Sequence, residues 1–158
     1  MIEKKEKKSV LFVCMGNICR SPTAEGVFRH FVNEAGLADR VEVDSAGTHA
    51  YHTGEPPDRR AAAAAQRRGI SLSGIKARRV SDGDFEKYDY IIAMDEDNVR
   101  HLLDQAPQEH HVKVRLFLSF AAIGETEVPD PYYGGAAGFE RVLDLVEEAS
   151  RGLLETLS

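Results

Sequence analysis

The 158-residue sequence predicts an α/β fold, a single domain on a four-stranded parallel sheet flanked by helices on both faces. Short apolar runs alternate with stretches whose apolar residues recur at helical spacing, and such alternation builds a parallel sheet through right-handed crossovers. The first strand runs straight into a loop that ends at a helix start, the unit with which α/β folds bind anions. The chain is also long enough to bury one core without disulfide staples.

Val10 to Val13 is continuously apolar, as suits a central parallel strand covered on both faces. Beyond the loop, Ala24, Val27, Phe28, Phe31, Val32 and Ala35 recur at helical spacing, Gly36 supplies a stop, and Pro22 is expected at the first helical position. Val41 and Val43 alternate into Asp44 as a second strand. Asp58 to Arg68, rich in alanine, reads as a helix ending at Gly69. Tyr90 to Met94 is a third strand, after which Asp95, Glu96 and Asp97 suit the first turn of a helix carrying Val99, Leu102 and Leu103 and stopping before Pro107. Val112, Val114, Leu116 and Leu118 alternate as a fourth strand. Gly124 to Gly138 reads as a long loop, and Phe139, Val142, Leu143, Val146, Ala149 and Leu153 as a final amphipathic helix.

Composition narrows the partners. With 20 basic and 26 acidic residues the net charge is −6, which disfavours nucleic-acid and anionic-membrane binding. No stretch approaches the roughly 20 apolar residues of a membrane span, so no stable membrane association is expected. Lys4, Lys5, Lys7 and Lys8, interleaved with Glu3 and Glu6, predict a disordered tail over residues 1–8, leaving 9–158 as the domain. The apolar run behind those lysines is too short for a signal peptide, and two cysteines close together suit a reducing cytoplasm rather than a disulfide framework. The oligomeric state is left open by the sequence, with a monomer favoured.

The chemistry concentrates in Cys14-Met15-Gly16-Asn17-Ile18-Cys19-Arg20-Ser21-Pro22. It puts a thiol and a guanidinium at the two ends of one tight loop, where backbone N–H groups converge on an anion. A helix N-terminus and a nearby arginine favour thiolate over thiol, which makes Cys14 a candidate nucleophile inside a phosphate-binding loop after strand 1. Arg20 offers two parallel donors to phosphate oxygens, a geometry lysine cannot match. Gly16 and Asn17 suit a loop that needs positive φ. Ser21 is placed either to hydrogen-bond the Cys14 sulfur or to cap the helix. Met15 and Ile18 point out of the loop to line its rim.

This string, with Asp44-Ser45-Ala46-Gly47-Thr48 and Asp130-Pro131-Tyr132-Tyr133-Gly134 following in order, resembles the low-molecular-weight protein tyrosine phosphatases over nearly the whole chain. The resemblance implies hydrolysis of protein phosphotyrosine and small aryl phosphates through a cysteinyl-phosphate intermediate, with no cofactor and no metal. Cys14 is then the nucleophile, Arg20 binds the phosphate and its transition state, and Asp130 protonates the leaving oxygen and later activates water. Met15 to Cys19 and Ser21 bind the substrate, Tyr51, Tyr132 and Tyr133 wall an aromatic ring, and Ser45 braces Asn17 from behind. Asp44 and Asp95 are expected to be structural. One departure stands out: the family often has a histidine near Gly74 that joins the bracing, and none is here.

Cys19 is either a resolving thiol for an oxidised Cys14 or a small buried residue. His49, His52, His110 and His111 lack further well-spaced ligands and read as surface histidines. Arsenate reductases of this fold need further cysteines downstream, and none follows Cys19. Arginine phosphatases that resemble this chain carry threonine where Ile18 stands, so isoleucine favours phosphotyrosine-containing proteins as partners. A protein arginine phosphatase and a non-catalytic phosphoprotein-binding module are the alternatives.

Overall fold

The computed structural model describes residues 7–158. The tail expectation therefore lies mostly outside the described residues, but Lys8 already opens the first strand, its N–H donating to the Arg40 carbonyl at 2.8 Å. Strand β1 (Lys8–Cys14) is central. It pairs in parallel with β2 (Val41–Gly47) on one side and β3 (Tyr90–Ala93) on the other, and β4 (Val114–Leu116) completes the order β2-β1-β3-β4. In this doubly wound order the connections leave the sheet in opposite directions from β1 and β3, so their carboxyl ends flank the crevice where such sheets bind ligands. Cys14 is the last residue of β1.

The apolar run of β1 is buried on both faces, as its continuity requires. Val10 and Phe12 join one cluster beneath α1 (Arg20–Glu34), α2 (Arg59–Arg67) and α5 (Ala136–Leu157), and the Phe12 ring meets Phe28 edge-on at 5.6 Å between centroids. Leu11 and Val13 join a second cluster beneath α3 (Asp82–Lys87) and α4 (Glu96–Gln105). The first and last helices, α1 and α5, pack against each other. Gly152 of α5 has no room for a side chain, since a Cβ there would lie 1.8 Å from the Phe120 carbonyl oxygen. Backbone cannot move aside as a side-chain tip can, so Gly152→Ala is expected to cost about 1–3 kcal/mol, read as a lower urea midpoint with an unchanged slope.

Three expectations are corrected and one element is added. Helix α1 begins at Arg20, so Pro22 is its third residue and not its first; the opening N–H groups of a helix have no internal partner, and proline is tolerated there. The fourth strand is three residues, not the run from Val112 to Leu118. Because β3 is only four residues long, it offers pairing to Val114, Arg115 and Leu116 alone; tight 3₁₀ turns over Gln108–Lys113 and Phe117–Phe120 flank them, leaving Val112 exposed. Helix α3 has no counterpart in the sequence reading, since six residues around Phe85 are too few to show a period. The loop predicted to end at Gly138 ends at Gly135, and α5 starts at Ala136. Asp58 and Asp95 do open α2 and α4, each accepting a backbone N–H at its own helix start.

Candidate active site

A cleft of about 290 Å³ opens over the carboxyl end of β1. Its floor is Cys14, Gly16, Ile18, Cys19 and Arg20; Met15, Tyr51, Tyr132 and Tyr133 stand around it with Asp130. Asn17, Ser21 and Ser45 are buried behind the floor instead of lining it. Of the thirteen residues singled out in the sequence, ten therefore line the cleft and three support it.

The loop closes on its own sulfur. The Asn17 N–H donates to Cys14 Sγ at 3.3 Å, made possible by a left-handed Asn17 with φ 58°. Gly16 does not share that conformation, contrary to expectation. It is small for another reason, because a Cβ there would lie 3.1 Å from the His52 ring. Gly47, beside Cys14 in the sheet, is small for a third: its Cβ would come within 2.7 Å of the Met15 carbonyl oxygen.

Asn17 organises the buried side of the loop. Its Nδ2 donates to Ser21 Oγ at 2.8 Å and to Ser45 Oγ at 3.0 Å, while its Oδ1 accepts from the Arg78 N–H at 3.0 Å, so every polar atom of the amide is used. Ser45 in turn donates to Glu25 Oε1 at 2.6 Å. Ser21 Oγ accepts from Asn17 and lies 3.0 Å from Cys14 Sγ and 3.5 Å from the Ala46 carbonyl, so its proton is within reach of the sulfur when the sulfur is a thiolate. The chain of donors thus ends on the sulfur that would carry negative charge. The Arg78 backbone N–H and Glu25 complete this buried network. Burial pushes the Glu25 carboxyl up from its usual range, and the Ser45 hydroxyl and Arg29 pull it only part of the way back.

Arg20 is 2% exposed. Nη1 donates to Asp95 Oδ2 at 2.6 Å and to the Val128 carbonyl at 3.0 Å, and Nη2 lies 3.7 Å from Asp130 Oδ2. Burial disfavours its charge, but the Cys14 sulfur, Asp95 and Asp130 outweigh burial and raise its pKa. Asp95 thus does more than cap α4. The same Val128 donates its N–H to the Met94 carbonyl at 2.8 Å, which ties the start of the Asp130 loop to the end of β3. For Cys19, burial first and Asp58 second push the thiol up to about 12, so it stays protonated at neutral pH.

Two residues went unrecognised in the sequence. His52, read as a surface histidine, lines the cleft between Gly16 and Tyr132, its ring 6.3 Å from the tyrosine's. Glu25 had a legible signal: Ser21, Glu25 and Arg29 recur at i, i+4, i+8 as a polar stripe along α1, the first two buried, and the exposed Arg29 reaches back to pair with Glu25 at 2.7 Å. His49 stacks on Tyr51 at 5.0 Å and 9° between planes. Among the described residues no three His, Cys, Asp or Glu side chains are grouped to hold a metal ion.

A buried thiol met by its own loop amide, an arginine fixed beside it and a carboxylate across the cleft form a site suited to an anion, with a thiol at its base. A model of the low molecular weight phosphotyrosine protein phosphatases matches residues 9–158, and the chain belongs to this family. It is 48% identical to the low molecular weight protein-tyrosine-phosphatase of Streptomyces coelicolor over 92% of this chain and 90% of that one. It is 42% identical to the human low molecular weight phosphotyrosine protein phosphatase over 94% of both. The crystal structure of an Entamoeba histolytica protein tyrosine phosphatase with Hepes in its active site superposes with a TM-score of 0.92, at 43% identity, covering 96% of this chain and 97% of that one.

Proposed function

We propose that this protein hydrolyses phosphotyrosine in proteins, and small aryl phosphates, with residues 9–158 as the catalytic unit acting in the cytoplasm. The observation that carries the reading is the convergence of Cys14, Arg20 and Asp130 on one cleft walled by Tyr51, Tyr132 and Tyr133. Tyrosine faces around a deep floor suit an aromatic phosphate ester, whose phosphate stands far enough from the backbone to reach Cys14.

Cys14 attacks phosphorus as the thiolate, forming the S–P bond as the P–O bond to tyrosine breaks. Asp130 gives its proton to the departing oxygen, and Arg20 holds two equatorial oxygens as charge redistributes among them. Water then attacks the phosphocysteine and passes a proton to Asp130. Sulfur leaves as thiolate, accepting the Ser21 hydroxyl 3.0 Å away. Tyrosine and phosphate are the products, and enzyme and proton inventory return to the start.

The test is phosphate release from a phosphotyrosine and a phosphoarginine peptide, side by side under reducing conditions without metal, at mildly acidic and neutral pH. Faster release from phosphotyrosine is expected, because Ile18 fills with methyl groups the place of a hydroxyl. In the same assay Asp130→Asn is expected to lower kcat/KM on phosphotyrosine by about 10² or more, the usual worth of a positioned acid. Preference for phosphoarginine would overturn the substrate while keeping the nucleophile, and release from neither would leave a phosphoprotein-binding module.

A further inference from the structure

The segment that carries Asp130 is rich in glycine and largely exposed, yet its carboxylate has to stand within hydrogen-bond reach of a leaving oxygen. Its internal ties shape the turn without placing it: the Tyr132 N–H donates to Asp130 Oδ1 at 3.0 Å and the Gly134 N–H to the Pro131 carbonyl at 2.9 Å. Upstream, Val128 fastens it to β3 and Arg20. Downstream, the hold comes from α2. Arg60 Nη2 donates to the Tyr132 carbonyl at 2.8 Å and Nη1 to the Gly134 carbonyl at 3.4 Å. The guanidinium also lies 5.6 Å from the Tyr132 ring centroid and 4.7 Å from that of Phe139.

Arg60 is aimed from behind. Its Nε donates to Asp58 Oδ1 at 3.2 Å and its Nη2 to Oδ2 at 3.0 Å, a fork-to-fork pairing that fixes the plane of the guanidinium. The Asp58 N–H, for its part, donates to the Ile18 carbonyl at 2.7 Å. Ile18 belongs to the loop around Cys14. One continuous path therefore joins that loop to the turn bearing Asp130: Ile18 carbonyl, Asp58, Arg60, then the carbonyls on the far side of the acid. The Arg60 side chain is 46% exposed and that of Asp58 11%; a pair with one open partner contributes modestly to stability, while its fixed plane serves to place the carbonyls it meets.

We propose that Arg60 is a positioning residue that latches the Asp130 turn to the Cys14 loop through Asp58, setting the distance over which the acid delivers its proton. The proposal rests on Asp130 being that acid. Lysine cannot replace the latch, because one ammonium cannot meet two carbonyls while paired in plane with a carboxylate.

The experiment compares wild type, Arg60→Ala, Arg60→Lys, Asp130→Asn and the Arg60→Ala/Asp130→Asn double variant on phenyl phosphate and on p-nitrophenyl phosphate, whose more acidic phenol departs with less help. Inhibition by inorganic phosphate and the thermal midpoint are measured beside them. For Arg60→Ala, kcat/KM on phenyl phosphate is expected to fall about ten-fold or more, with a clearly smaller loss on p-nitrophenyl phosphate. Arg60→Lys recovers only part of it, phosphate inhibition is unchanged, and Arg60→Ala adds no further leaving-group penalty in the Asp130→Asn background. Equal losses on both substrates, weakened phosphate inhibition, or a penalty that adds fully to that of Asp130→Asn would overturn the latch. An unchanged phenyl phosphate rate in Asp130→Asn alone would instead overturn the assignment of the acid, whatever Arg60→Ala does.

Discussion

Cys14→Ser is expected to abolish phosphate release, by about 10⁴-fold or more, while the protein still binds a phosphotyrosine peptide. Oxygen is smaller than sulfur but offers an acceptor to the same two partners, the Asn17 N–H and Ser21, while the Asn17 bonds that shape the loop do not involve the sulfur's size. What is lost is nucleophilicity, since a serine hydroxyl here has no base beside it and Asp130 is committed to the far side of the ester. Binding survives because Arg20 and its partners are untouched. Calorimetric titration with the peptide separates the two: retained affinity without turnover assigns the chemistry to sulfur, whereas turnover near wild type removes Cys14 from it. Cys19 cannot stand in, since burial and Asp58 keep its thiol protonated.

Arg20→Lys is expected to lower kcat/KM by about 10²–10³, the scale on which loss of a preorganised oxyanion donor is felt. The charge is retained, so the loss measures geometry. Arg20 spends Nη1 on Asp95 and on the Val128 carbonyl. That leaves the other edge of the guanidinium facing the cleft near Asp130, ready to pair with two phosphate oxygens without rearranging. A lysine reaching for Asp95 has nothing left with which to hold a phosphate in plane. Parallel losses in phosphate inhibition and in kcat are expected, and a variant that loses only stability would assign Arg20 to the fold alone.

What the sequence made legible follows the distance over which each signal acts. Cys14, Asn17, Arg20 and Ser21 lie within one turn of chain, and their joint meaning survives without coordinates. Asp58 and Asp95 announced their helices for the same reason, since a cap acts on N–H groups two or three residues away. The contacts that complete the site are not local. Arg20 meets Asp95 across 75 residues and the Val128 carbonyl across 108, and a backbone carbonyl carries no mark in a sequence at all. The Arg78 N–H on Asn17 is hidden in the same way. The fourth strand was over-read because alternation in Val112 to Leu118 describes the strand itself and says nothing of how little edge β3 presents to it. His52 was under-read because a histidine without ligand spacing looks the same whether it faces solvent or a cleft.

The packing of α1 against α5 joins segments far apart in sequence, whereas α1 meets β1 and β2 close to its own place in the chain. The bonds that set Ser21 against Cys14 and Glu25 against Ser45 lie wholly within β1, α1 and β2. A contact of high sequence separation is costly in entropy and late in forming. The loop around the sulfur is thus drawn together by neighbours in sequence before α5 closes over the helix behind it, so folding assembles the anion cradle first and shields its support last.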